Sequence, residues 1–161
     1  MDVQAGLLSK RRFDSPEQEA FLGLWRTYDR LRSLEDELFA RYGLTAHQYN
    51  TLRVLRAHRP RKVPTLGLGS MLVTGAPDIT RLLDKLDERG LIERERREEN
   101  RRVVLVGITE AGLSLLRDLA REVRDCHARQ LGHLEPAEVR TLIDLLRKVR
   151  EPHEPPHGEW A

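Results

Sequence analysis

Apolar residues recur every three or four positions near the start of the chain, which is the spacing of one face of a helix. Ser15 followed by Pro16 is typical of a helix start, with serine as the N-cap and proline in the first turn. The spacing predicts one long helix over residues 15–41, and Gly43 is expected to end it. The apolar positions are Phe21, Leu24, Trp25, Tyr28, Leu31, Leu34, Leu38, Phe39 and Tyr42.

A helix-turn-helix pattern follows this first helix. A second helix opens at Thr45, and a loop bracketed by Pro60 and Pro64 comes after it. The segment TLGLGSML, residues 65–72, predicts a short helix, although Gly67 and Gly69 each cost up to about 1 kcal/mol relative to alanine. After a turn at residues 73–75, the segment APDITRLLDKLDERG, residues 76–90, predicts a strong helix that Gly90 ends.

The helix over residues 76–90 has one apolar and one polar face. We expect Pro77 and Asp78 in its first turn. The predicted buried stripe consists of Ile79, Leu82, Leu83 and Leu86. The opposite face carries Pro77, Thr80, Arg81, Asp84, Lys85 and Glu88.

The spacing of apolar residues along the chain changes after Gly90. Residues 91–108 begin and end with apolar or β-branched residues around a charged middle, which predicts a β-hairpin. Thr109 then caps a long helix, and Pro136 starts a final one. The order of elements predicts a mainly α (α+β) fold.

Composition agrees with a single helix-rich domain. The chain has 161 residues, 39% hydrophobic and 34% charged, and its formal net charge is only +2, so any nucleic-acid contact must come from local clustering of charge. One cysteine, Cys126, excludes an internal disulfide, and no apolar run reaches the length of a membrane span. The first residues lack the apolar core of a signal peptide, and we expect a cytoplasmic protein without membrane contact.

The stretch ITRLLDKLDERGLIERERREENRRVVLVGITEAG, residues 79–112, resembles the core of the MarR family of regulators. The family's Leu-Thr-x-x-Gly entry to the next helix reads here Ile108-Thr109-Glu110-Ala111-Gly112. The resemblance spans about residues 15–150. It implies a winged helix-turn-helix with a three-stranded or hairpin wing, flanked by long N- and C-terminal dimerisation helices.

The predicted elements, the proline- and charge-rich composition of the tail and the resemblance together divide the chain. The expected parts are a flexible arm (1–14), an N-terminal dimerisation helix (15–44), a DNA-binding lobe (45–108), C-terminal dimerisation helices (109–150) and a disordered tail (151–161). The expected partners are double-stranded DNA with a palindromic site and a second copy of the chain. Many members are repressors released by small aromatic acids, and others respond to cysteine oxidation or to metal.

Five arginines lie on the predicted hairpin, and a duplex of phosphates needs such cations. We expect Arg101 and Arg102 at the tip to enter a minor groove and the three before them to meet phosphates. Those three are Arg94, Arg96 and Arg97. The alternative is a solvated loop, because Glu93, Glu95, Glu98 and Glu99 alternate with the arginines. The family's wing aspartate is replaced here by Asn100, which accepts a hydrogen bond but supplies no charge.

On the recognition helix, Arg81 and Lys85 project from the polar face, and Arg81 suits a bidentate contact with guanine. Pro77, Asp78 and Thr80 lie at the end expected to enter the groove. Asp78 is interpreted as a stabiliser of the helix N-terminus, with acceptance from cytosine as the alternative.

Other candidate sites are weaker. The resemblance places a ligand crevice at Trp25, Tyr28, Tyr49 and Asn50, although core packing explains the aromatic residues equally well. Cys126 is interpreted as a buried residue, with redox sensing as the alternative. The six histidines are interpreted as surface residues, and we expect no metal site, cofactor or enzymatic activity. A protein-interaction module without specific DNA binding remains the alternative function.

Overall fold

A computed structural model describes residues 13–73, 78–100 and 102–154 of the chain. Its elements follow the predicted order and confirm a mainly helical fold with a small antiparallel sheet. The helices and strands are α1 (Pro16–Ala40), α2 (Ala46–His58), β1 (Val63–Pro64), α3 (Thr65–Met71), α4 (Ile79–Glu88), β2 (Ile92–Arg96), β3 (Val104–Ile108), α5 (Glu110–Leu131) and α6 (Pro136–Arg150). None of the helices within these described ranges is both long and apolar enough to cross a membrane.

Local signals in the sequence set the helix ends. Thr45 and Gln48 form a capping box at α2, in which the Gln48 N–H donates to Thr45 Oγ1 over 3.1 Å and the Thr45 N–H donates to Gln48 Oε1 over 2.9 Å. Gly43 after α1 and Gly90 after α4 have φ angles of +64° and +66°. Glycine adopts this left-handed conformation without the steric cost of a Cβ, so both helices end where the sequence predicts.

The start of α4 differs slightly from the prediction. The helix begins at Ile79, and Asp78 is its N-cap rather than part of its first turn. The Asp78 carboxylate accepts a hydrogen bond from the Arg81 N–H at 2.9 Å, which satisfies a backbone donor that has no partner inside the helix. Pro77 and the predicted turn residues Thr74 and Gly75 lie outside the described residues.

The wing sheet has three strands, in the order β1-β3-β2. In the antiparallel pair β2 and β3, Ile92 lies opposite Ile108 and Arg96 opposite Val104. The third strand, β1, falls in the loop predicted before α3 and pairs with β3 through Val63 and Pro64. Two residues are too few to show a period of two, so the sequence pattern predicted the hairpin but did not indicate this third strand.

The core of residues 35–154 forms where α2, α4, β3 and α5 meet. Of the predicted α4 stripe, Leu83 and Leu86 are buried, whereas Ile79 and Leu82 are half-buried. The most completely buried aliphatic residues of this core are Leu52, Val54, Leu55, Leu68, Leu83, Leu86, Val106 and Leu119. Burial of this apolar surface holds the recognition helix α4 against the scaffold.

Gly112 lies where α5 begins, at a point of close backbone approach. A Cβ at this position would lie 2.3 Å from the Leu91 carbonyl oxygen and 2.7 Å from Ile108 Cγ1. The Gly112 N–H donates to Thr109 Oγ1, and the same hydroxyl donates to the Gly90 carbonyl oxygen at 2.6 Å. Thr109 and Gly112 of the family motif therefore join the end of α4 to the start of α5.

The chain divides into two compact units at Leu34 and Glu35, within α1. In the first unit, the described residues 13–34 carry a row of exposed apolar side chains, and the rings of Phe21 and Trp25 lie 6.3 Å apart. The exposed residues of this row are Phe21, Leu22, Leu24, Trp25 and Tyr28. A soluble helix does not normally expose so many neighbouring apolar side chains unless they meet a partner.

In the second unit, α6 has none of its residues buried. Ile143, Leu145 and Val149 are all about half exposed or more. Glu151–His153 continue the chain as a 3-10 turn at the start of the segment expected to be disordered, and Arg150 forms an ion pair with Glu154 at 2.9 Å. The rest of that segment, residues 155–161, lies outside the described residues, as do residues 1–12 of the predicted arm.

Candidate nucleic-acid interface

The exposed face of α4 carries the residues that the sequence predicts for base contact. Asp78, Thr80, Arg81 and Lys85 are all exposed. The opposite side of the helix packs on α2 and β2 through its buried leucines. The Asp78 carboxylate is already engaged by the Arg81 N–H, which favours the stabilising role for this residue.

The tip of the wing is a short turn organised by Asn100. The Arg102 N–H donates to Asn100 Oδ1 at 3.1 Å, and the Val103 N–H donates to the Asn100 carbonyl oxygen at 2.9 Å. An asparagine side chain that accepts from the backbone two residues later is a common turn-forming arrangement. Asn100 thus shapes the backbone that carries Arg102, whose side chain is exposed. Arg101 lies outside the described residues.

One groove connects the recognition helix with the wing. It has a volume of about 280 Å³, and its lining includes Thr80 of α4, Leu66 of α3 and Arg102 of the wing. Arg96 and Arg97 are exposed on the same hairpin. The predicted base-reading helix and the predicted wing arginine therefore belong to a single concave surface.

Arg94 is placed differently from the other wing arginines. Its guanidinium lies 2.7 Å from Asp84 Oδ1 and 3.6 Å from Asp87 Oδ2, both on α4. The Arg94 side chain is only 28% exposed. It is therefore a link between the wing and the recognition helix, and it lines the same groove as Thr80 and Arg102, so its contact with phosphates stays a prediction.

Two of the wing carboxylates, Glu93 and Glu95, have a cationic partner outside the wing hairpin. Successive residues of a strand point to opposite faces, so Glu93 and Glu95 lie on the face away from Arg94. There the Lys62 ammonium contacts Glu95 Oε2 at 2.7 Å and Glu93 Oε1 at 3.2 Å. The hydrogen bond to Glu95 is the largest cause that raises the pKa of Lys62, and the hydrogen bond to Glu93 is the second. The hydrogen bond from Lys62 in turn lowers the pKa of Glu95. The expected cancellation of charge along this strand is therefore incomplete.

Known proteins with similar sequence and fold are transcriptional regulators. The MarR family profile matches residues 44–104. A MarR transcription factor of known structure from Planctomyces limnophilus is 55% identical, with a TM-score of 0.68, over 85% of this chain and 99% of its own. YpoP of Bacillus subtilis, an uncharacterized HTH-type transcriptional regulator, is 31% identical over 106 residues, which are 66% of this chain and 74% of its own. A cysteine-to-serine variant of MarR from Escherichia coli, solved with operator DNA, is 26% identical, with a TM-score of 0.72, over 81% of this chain and 93% of its own.

This chain belongs to the MarR family. The winged helix-turn-helix predicted from residues 79–112 is thereby confirmed. The Thr109 and Gly112 motif has a structural role in this MarR-family chain, because it joins α4 to α5.

The four residues predicted for a ligand crevice fall in separate units of the chain. Trp25 and Tyr28 are 62% and 56% exposed in the first unit. In the second unit, the Tyr49 ring stacks on Phe39 with centroids 4.4 Å apart, and burial raises the pKa of Tyr49. Asn50 is half-buried. Packing accounts for Tyr49, whereas the indole of Trp25 lies beside Phe21 and is mostly exposed among the described residues 13–34.

Cys126 is buried within α5, with 5% of its surface exposed. Burial raises the pKa of its thiol, which disfavours the reactive thiolate. This placement supports the interpretation of Cys126 as a core residue.

Sequence reasoning missed two residues that organise this surface. Lys62 precedes β1 and reaches the wing carboxylates, as described above. Arg89, at the end of α4, donates to the carbonyl oxygens of Gly43 at 2.8 Å and Tyr42 at 3.0 Å. The partners of Lys62 and of Arg89 lie far from these residues in the sequence, and no local pattern indicates such contacts.

Proposed function

We propose that this MarR-family chain is a homodimeric transcriptional repressor that binds a palindromic operator and is released by a small aromatic effector. The observation that carries the proposal is the groove in which Thr80 of α4 and Arg102 of the wing lie together. A helix that reads base edges beside an arginine that suits a narrow groove is the arrangement that duplex recognition needs. The E. coli MarR variant solved with operator DNA supports the same use of the fold.

Each residue predicted to contact DNA has a proposed role. Arg81 makes a bidentate contact with guanine, and Lys85 approaches the same major groove. Thr80 lies at the entering end, together with Asp78 as cap and with Pro77. Arg102 and Arg101 enter the minor groove, while Arg96 and Arg97 meet phosphates. Arg94 and Asn100 hold the wing in position.

Dimerisation is proposed through the first helix and the last two. The exposed apolar rows on α1 and α6 are the surfaces that support it. Two recognition helices related by a two-fold axis would read half-sites about one helical turn apart. A palindromic operator follows from that symmetry.

The effector is proposed to be a small aromatic acid, as in many members that the sequence resembles. Trp25 and Tyr28, which are exposed in the first unit, are its proposed contacts. Binding there would favour a spacing of the two recognition helices that no longer matches the half-sites. Release of the protein from its operator would follow.

The test is binding to DNA fragments from the region upstream of the chain's own gene. Fluorescence anisotropy across a salt series should show a preference of about a thousandfold or more over random duplex, and an affinity that falls steeply with salt. Sedimentation should give the mass of two subunits. Equal affinity for both duplexes would overturn specific recognition and leave the protein-interaction module, and a single subunit on DNA would overturn the dimer.

A further inference from the structure

Lys62 crosses the wing sheet from one edge to the other. It precedes β1, an edge strand, yet its ammonium contacts Glu93 and Glu95 on β2, the opposite edge strand. The central strand β3 lies between them. The Lys62 side chain is 27% exposed, so most of its stem lies against the sheet.

Gly107 of β3 provides the path for this side chain. Gly107 pairs with Glu93 in the sheet register, directly beneath the crossing. A Cβ on Gly107 would lie 3.1 Å from Lys62 Cγ and 3.4 Å from Glu93 Oε1. The absence of a side chain at Gly107 therefore allows the contact between Lys62 and Glu93.

Glu95, the nearer to the wing tip of the two carboxylates that Lys62 contacts, is close enough to influence DNA binding by the wing. Glu95 precedes Arg97 by two residues, which corresponds to about 7 Å along a strand. That distance is within the Debye length of about 8 Å at physiological salt, so unpaired carboxylates would oppose the attraction between the wing arginines and phosphates.

We propose that Lys62 masks the charge of Glu93 and Glu95, so that the wing binds DNA tightly although Lys62 itself does not contact DNA. This inference rests on the proposed function. It assigns to Lys62 an electrostatic role that acts through two named carboxylates, rather than a contact with phosphate.

The test compares four proteins that differ in the charge of this cluster. Counting Lys62, Glu93 and Glu95, the cluster has charge −1 in the wild type, −2 in Lys62→Met, +1 in Glu93→Gln/Glu95→Gln and 0 in the triple variant. Operator affinity at low salt should follow this order, with Lys62→Met weakest by about threefold to tenfold relative to wild type and the triple variant at least as tight as wild type. The differences should shrink as salt rises.

Arg59→Met is the matched control. Arg59 pairs with Glu110 at 2.5 Å, so this variant removes the same charge and breaks an ion pair outside the wing. Its operator affinity should stay within about twofold of wild type. Circular dichroism and thermal unfolding check that each variant is folded, and the glutamine pair, which keeps Lys62, tests the inference even if Lys62→Met fails to fold.

The inference is overturned if Lys62→Met binds as tightly as wild type, or if the triple variant stays as weak as Lys62→Met. It is also overturned if the glutamine pair does not bind more tightly than wild type. Failure of the proposed function would be distinct, because the wild type itself would then show no preference for its operator.

Discussion

The Arg94 guanidinium on β2 lies 2.7 Å from the Asp84 carboxylate on α4. This ion pair joins the wing to the recognition helix, the two elements proposed to contact DNA. Because Arg94 has a second ion-pair partner in Asp87 at 3.6 Å, it bridges successive turns of the same helix. This arginine therefore contributes to the relative orientation of wing and helix.

Asp84→Asn is expected to weaken operator binding by about twofold to tenfold, which corresponds to the roughly 0.5–1.5 kcal/mol of one typical hydrogen bond. This direction is opposite to that of simple electrostatics, since removing a negative charge from a DNA-facing helix would otherwise strengthen binding. The free energy of unfolding should change by only about 0.2–1 kcal/mol, because both side chains are partly exposed and solvent screens the pair. Anisotropy titrations and urea unfolding measure the two effects.

Glu88→Gln is the matched control for this pair. Glu88 is an exposed acid on the same helix and is not an ion-pair partner of Arg94. Its substitution should leave operator affinity unchanged or slightly tighter. If Asp84→Asn tightened binding to the same extent, the orienting role of Arg94 would be wrong.

Arg102→Ala and Arg81→Ala are expected to have different effects. Loss of Arg102 should weaken binding to operator and random duplex alike and reduce the salt slope by about one. Loss of Arg81 should relax the preference at one base pair by about 1–3 kcal/mol. Affinities measured on an operator library at several salt concentrations separate the two.

Arg117→Ala is the control for these arginine variants, because it removes an exposed arginine from α5, outside the wing and α4. Its affinity and salt slope should match wild type. Wild-type behaviour of both Arg81→Ala and Arg102→Ala would contradict the proposed readout.

Gly112→Ala is expected to destabilise the protein by about 1–3 kcal/mol, because the new methyl group would overlap the Leu91 carbonyl oxygen. Gly69→Ala is the matched control: nothing lies within 4 Å of its Cβ position in α3, and alanine there should stabilise by up to about 1 kcal/mol. Thermal unfolding at one protein concentration measures both. Equal shifts in the same direction would exclude close approach as the reason for glycine at position 112.

The sequence by itself determined the helices, the β2–β3 hairpin and most of their ends, but not the two-residue strand β1. Gly43, Gly90, Thr45 and Thr109 act on neighbouring backbone, so their effects can be read from a few adjacent residues. The apolar residues change from helical spacing to alternation after Gly90, and this change located the hairpin. These features, with the motif ending at Gly112, were sufficient to identify the family.

Only the tertiary structure decided which charged residues pair with each other. Lys62 and Glu95 are 33 residues apart, and five consecutive residues of β2 contain both the arginine that faces α4 and the carboxylates that face Lys62. Alternation along the strand places them on opposite faces, but which element covers each face depends on how the helices pack. Local spacing carries no information about that packing, which is why the sequence did not predict the contact between Arg94 and Asp84.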